Sequence, residues 1–119
     1  MSVMPVIQDY AFGKMTIGHK AITSDLVIFP DGSVADNWYR KQGHLLVRSD
    51  IVRLLEQKPD CIVIGTGSSG GMKVDKQLSS LFNDLGIQAK AAPCTRAVQI
   101  YNDLAKTGVA LGACFHLTC

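Results

Sequence analysis

Apolar residues in the first third of this chain alternate with polar ones or gather in short runs bounded by turn residues. That is the pattern of strands. Lys14 to Ile17 and Lys20 to Ile22 flank Gly18-His19, which predicts a hairpin with a two-residue turn. Leu26 to Phe29 reads as a buried strand stopped by Pro30-Asp31-Gly32, three residues that each favour a turn. Val34 to Trp38 and Leu45 to Val47 give weaker strand patterns.

Further along, the apolar spacing lengthens to three and four. Ser49-Asp50 predicts a helix N-cap, with Ile51, Leu54 and Leu55 on one buried face and Pro59-Asp60 as the stop. Cys61 to Gly65 is an apolar run of strand length. Leu78, Leu81, Phe82 and Leu85 predict a second helix from about Asp75, closed by Gly86. Ile87 to Ala92 follows as a strand short of large side chains. Thr95 then caps a third helix, with Val98, Tyr101, Leu104 and Ala105 inward and Gly108 at its end, and Val109 to Phe115 is the last strand. Alternating helices and strands imply a sheet with helices packed on its faces. The β-rich first third adds a hairpin layer or antiparallel edge strands, so the expected fold class is α/β with a mixed sheet.

A length of 119 residues suits one domain, residues 1–119. With 47% apolar and only 18% charged residues, the chain is globular and leaves apolar surface that a homo-oligomer would hide. A formal charge of +2, with Lys and Arg scattered, argues against nucleic acid as a partner. No apolar run approaches the roughly 20 residues that span a bilayer, which argues against the membrane. Met1 to Tyr10 has neither a basic n-region nor an apolar h-region, and lacks the arginines of a transit peptide. The expected location is therefore the cytoplasm, where four cysteines without a Cys-x-x-Cys pair read as reduced thiols.

Candidate chemistry concentrates where the run Cys61 to Gly65 breaks into Thr66-Gly67-Ser68-Ser69-Gly70-Gly71. Glycines at the carboxyl end of a strand let a ligand approach the backbone closely, and exposed amides there favour anions. Gly65, Thr66, Gly67, Ser68, Ser69 and Gly70 are the expected lining of a crevice, with Lys73 and Arg96 as contacts to a small anion. Gly65 to Gly70 satisfies G-x-G-x-x-G literally, but the helix starts too late and the next strand ends in Lys90-Ala-Ala-Pro without a carboxylate for a ribose. A Walker loop fails because Lys73 is displaced from the second glycine. No cofactor is expected.

Gly67 to Gly71 also matches G-x-S-x-G, and Asp103 and His116 follow in the order that hydrolases use. That elbow must enter its helix directly, which this chain does not do. Cys114-x-His116-x-x-Cys119 offers up to three metal ligands, two on one strand face, where a structural zinc wants four. A core thiol and a terminal thiol are the favoured reading, and no metal is assigned. Trp38 and Tyr39, set among charges, read first as a strand end covering the core and second as interface anchors.

Ile64-Gly65-Thr66-Gly67, Ala97, Tyr101-Asn102, Leu104, Gly108-Val109 and the ending His116-x-Thr118-Cys119 together resemble one family. It is the small uncharacterised domain family that includes respiratory complex I assembly factor 3 and the adipogenesis-associated cytosolic protein. Pro30-x-Gly32-Ser33 with Asp36-x-Trp38 is similar too, so the resemblance covers essentially the whole chain. It implies a single three-layer α/β domain with a mixed central sheet, often oligomeric. It also implies action by binding proteins, as an assembly or regulatory factor, with no catalytic activity established and no active site to carry over. Many prokaryotic relatives carry Glu-x-Met before the last helix, where this chain has Ala91-Ala92-Pro93-Cys94.

The expected function is accordingly non-catalytic binding of a protein partner. The alternative is a small-molecule or anion pocket, hydrolase-like, with Ser69 or His116 as the reactive group.

Overall fold

Three strands that are buried on both faces set the architecture. β4 (Leu26–Ile28), β7 (Cys61–Gly65) and β10 (Leu111–Phe115) carry no exposed residue, as strands sandwiched between two layers must. The computed structural model describes residues 3–119. In chain order the elements are β1 (Ile7–Ala11), β2 (Lys14–Ile17), β3 (Lys20–Ile22), β4, β5 (Val34–Ala35), β6 (Leu45–Leu46), a 3₁₀ turn (Arg48–Ile51), α1 (Val52–Glu56), β7, β8 (Lys73–Val74), α2 (Lys76–Leu85), β9 (Gln88–Ala92), α3 (Cys94–Ala105) and β10.

The central sheet has the order β5-β4-β10-β7-β9. β10 lies antiparallel to β4 and parallel to β7, and β7 is parallel to β9, so the sheet is mixed as expected. Side chains alternate across it. Val63, Ala113 and Phe115 face one core with Ala97 and Tyr101 of α3 and Met15 of β2. Ile62, Ile64 and Cys114 face the other, with Leu54 of α1 and Leu78 and Phe82 of α2. The hairpin layer is an antiparallel β1-β2-β3 sheet on the α3 side, so the three-layer α/β fold class holds. Among the described residues no helix is long and apolar enough to cross a membrane.

Local chemistry explains most boundaries. Gly18 and His19 both adopt positive φ, 55° and 68°, the requirement of the predicted two-residue hairpin turn. α2 begins after Asp75 and ends at Gly86, whose φ of 70° is the left-handed cap expected there. Several expectations need correction. β1 has no counterpart among the predicted strands. The strand expected from Val34 to Trp38 stops at Ala35, because Asn37 turns left-handed at φ 52° with its amide on Ser24 Oγ.

Ser49-Asp50 does not cap a helix. Asp50 sits inside the 3₁₀ turn, and its carboxylate accepts from the amides of Val47 and Lys41, both at 3.0 Å. Pro93, not Thr95, precedes the third helix, and the fully buried face is Cys94, Ala97 and Tyr101. Val98, Leu104 and Ala105 are half-buried at its margin.

Candidate functional site

The glycine loop leaves β7 at the carboxyl edge of the sheet and folds against the chain's own last residues. The Gly71 amide donates to the Cys119 carbonyl at 2.7 Å, and the Ser68 amide to the Thr118 carbonyl. Met72 donates to Thr66 at 3.0 Å, and the Gly67 carbonyl accepts from Cys94, also at 3.0 Å. Glycine is required by that closeness. A Cβ on Gly67, where φ is 106°, would lie 2.3 Å from the Cys119 carbonyl carbon, and one on Gly71 would lie 2.4 Å from its oxygen.

This arrangement corrects the open anion cradle expected of Gly65, Gly67 and Ser68. Gly65 is buried against Phe115 and Cys94, Gly67 is buried beneath residue 119, and the Ser68 amide is already bonded. Thr66, Ser69, Gly70 and Lys73 do converge. They line a shallow hollow of about 400 Å³ with Ala91, Ala92 and Pro93. Arg96 is not part of it; its guanidinium reaches Gln99 Oε1 at 3.3 Å on the surface of α3.

Ser69 Oγ donates to the Cys119 carbonyl at 3.2 Å, not to a histidine, so no nucleophile–base pair is formed. α2 starts only at Lys76, which rules out the direct strand-to-helix elbow. Among the described residues no three His, Cys, Asp or Glu side chains gather to hold a metal. Cys61, Cys94 and Cys114 are buried thiols and Cys119 is an exposed one.

A second polar cluster lies next to the tail, on residues far apart in sequence. Asp25 Oδ2 lies 2.8 Å from His116 Nδ1 and 2.9 Å from Arg40 Nη1, while Asp25 Oδ1 accepts from the Leu117 amide at 2.8 Å. His116 Nδ1 also lies 2.9 Å from Arg40 Nη2, so this ring nitrogen sits between an acceptor, the Asp25 carboxylate, and a donor, the Arg40 guanidinium. Burial pushes the Asp25 carboxyl up, but hydrogen bonds from His116, the Leu117 amide and Arg40 outweigh it and hold the group below its ordinary value.

Arg40 also donates from Nε and Nη2 to the Gly43 carbonyl, at 2.9 and 2.8 Å, and stacks on Trp38. His116 is 6% exposed, its Nε2 is buried without a partner among the described residues, and its ring meets the edge of His44. Through these bonds the cluster clamps the loop before β6 to the tail after β10. Spacings of 15 and 91 residues gave sequence reasoning no pattern from which to find it.

A family described as "Protein of unknown function (DUF498/DUF598)" matches residues 7–116. The chain belongs to this family. The resemblance drawn from the glycine loop and the C-terminal third is therefore sound across the domain. Among solved structures, MT938 is similar with a TM-score of 0.81 at 29% identity, over 97% of this chain and 99% of its own.

The conserved hypothetical protein PH1505 from Pyrococcus horikoshii OT3 gives a TM-score of 0.81 at 23% identity, over 95% of this chain and 98% of its own. A Bordetella pertussis protein, described as a Mth938-like domain, gives 0.69 at 17% identity, over 98% and 88%. The last two speak for the fold alone. The Mth938-like fold and membership of a family of unknown function are thus what comparison establishes, with no catalytic or partner role attached.

Proposed function

We propose that this domain is a non-catalytic binding module for a protein partner. The observation that carries the reading is the engagement of the Ser68 and Gly71 amides by the carbonyls of Thr118 and Cys119, which takes two backbone donors away from an oxyanion or phosphate. What faces outward beside them is small and apolar: Ala91, Ala92 and Pro93, with Ser69 and Lys73 as the polar edge. Tyr39, 80% exposed, adds an aromatic group elsewhere on the surface, of the kind that anchors interfaces.

A small anion held by Ser69 and Lys73 is the second reading, favoured by their place in one hollow. A reducing, cytoplasmic setting suits four unpaired thiols.

Photo-crosslinking residues placed singly at Tyr39, Lys90 and, as a control on another surface, Lys106 test the main reading in the native cell. A discrete adduct of fixed mass from position 39 or 90, and none from 106, is the expected result. Equal smears from all three positions, or no adduct, would overturn it. A fluorophosphonate that labels Ser69 in the folded chain would move the assignment to an enzyme.

A further inference from the structure

β9 is the outer strand of the five-stranded sheet, and among the described residues only its inner edge is paired. Its register with β7 runs unbroken from Gln88 to Ala92. The Gln88 amide donates to Asp60 at 3.0 Å, and the Ala92 carbonyl accepts from Thr66 at 2.9 Å. Those two bonds fix the parity of the strand. The peptide groups of Gln88, Lys90 and Ala92 turn toward β7, so those of Ala89 and Ala91 turn outward. Four of the five residues are exposed, with no bulge to twist the edge away.

The side chains add a second feature. Between β9 and α2 runs a groove of about 250 Å³ floored by Ile64, Val74, Phe82, Ile87, Ala89 and Ala91. Ser79 and Asn83 of α2 form its polar margin. Methyl groups at positions 89 and 91 are what leave it open, since the β-branched residues that strands favour would fill it. Val74 and Ala91 also line the hollow that holds Ser69 and Lys73, so groove and hollow form one track along the strand. An unpaired edge beside an apolar groove is the arrangement by which strand-adding domains take extended peptides.

Charge selects the occupant. Lys73 and Lys90 are exposed, and the ion pairs found among the described residues all involve Asp25. A second copy paired antiparallel about Lys90 would set that lysine opposite itself, and like charges directly opposite repel. An acidic segment meets both lysines favourably. We infer that β9 receives an extended segment of a protein partner as an added strand, with an apolar side chain seated in the α2 groove and an acidic side chain at the Lys73 end. This rests on the partner-binding reading above and gives it a place.

Random short peptides displayed on phage and selected on the full chain, then measured as labelled synthetic peptides by fluorescence anisotropy, test the inference. Enriched peptides should carry apolar residues at alternate positions with Asp or Glu beside them. Ala91→Pro deletes one outward N–H and no bond to β7, Ala89→Leu fills the groove, and Lys73→Glu reverses the charge. Each should weaken binding by about tenfold or more, with Lys106→Glu unchanged.

Thermal melting shows which variants fold; if Ala91→Pro does not, the other two decide. Selection without binders, binders indifferent to these changes, or a homodimer that Ala89→Leu or Lys73→Glu dissociates would each overturn the inference. A crosslink from Tyr39 alone would still leave partner binding standing, so the two failures are separable.

Discussion

Asn102 holds the backbone of Ile7 from both sides. Its Oδ1 accepts from the Ile7 amide at 3.0 Å, and its Nδ2 donates to the Ile7 carbonyl at 2.8 Å, across 95 residues of sequence. A carboxamide is the one neutral side chain with an acceptor and a donor so placed. α3 thereby presents a false strand edge to the start of β1, and Tyr101 extends it by donating to the Pro5 carbonyl at 2.8 Å. The hairpin layer is therefore fastened to the core helix by hydrogen bonds as well as by apolar contact.

Asn102→Ala should cost about 1–3 kcal/mol, because two partly buried peptide groups lose their partners together. Urea unfolding should show the midpoint lowered at an unchanged slope. Asn102→Asp keeps the acceptor but sets a carboxylate oxygen against the Ile7 carbonyl, so at neutral pH it should cost at least as much as alanine. An alanine variant as stable as the parent would mean that water replaces the carboxamide without penalty.

Gly67→Ala should be far more damaging than its size implies. The position has φ of 106°, and the new methyl would meet the Cys119 carbonyl 2.3 Å away. About 2 kcal/mol or more of destabilisation is expected, from backbone strain and displacement of the tail. Hydrogen exchange should report loss of protection at the Ser68 and Gly71 amides, which residues 118 and 119 hold. Gly43→Ala is the control: among the described residues nothing lies within 4 Å of its added carbon, and its stability should barely move.

Acid should weaken the clamp at Asp25 in a defined direction. The folded chain holds this carboxyl below its ordinary 3.8, so its contribution is complete above that value and is lost as pH falls through the depressed one. Asp25→Asn should remove that part of the acid dependence. At neutral pH it should also destabilise by about 3 kcal/mol, since the Arg40 guanidinium, 4% exposed, loses its counter-charge. Chemical denaturation of both chains from pH 7 down to pH 3 checks the crossing: equal slopes below pH 4 would refute the assignment.

Elements whose boundaries are set by local chemistry were legible in the sequence. The hairpin at Gly18-His19 needs two residues that tolerate positive φ, and α2 needs its apolar stripe and Gly86; neither depends on distant partners. β1 was not legible, because Ile7 and Tyr10 are tied down by Asn102 and by the Leu117 carbonyl rather than by any alternation of their own. The glycine loop was found but misread for the same reason. Local composition says that something approaches the backbone closely, and in this structure the Cys119 carbonyl does so. Ala89 and Ala91 registered only as a strand short of large side chains, and it takes α2 beside them to turn that shortage into a groove.

The four thiols should separate cleanly in a labelling experiment. Cys119 is exposed, whereas burial pushes the thiols of Cys61 and Cys94 up and that of Cys114 to about 12. Reaction with a disulfide reagent requires thiolate, so at pH 8 the native chain should consume reagent at Cys119 alone. The other three should follow only on unfolding. Cys94 is the informative one, because its Sγ donates to the His116 carbonyl at 3.0 Å beneath the tail that covers Gly67. Mass spectrometry of digested, labelled protein should therefore find Cys94 opening before Cys61 and Cys114 in Gly67→Ala, while the parent chain keeps all three closed. Rapid native labelling at Cys94 in the parent chain would mean that residues 117 to 119 leave the glycine loop readily, and the amides of Ser68 and Gly71 would then be free to take an anion after all.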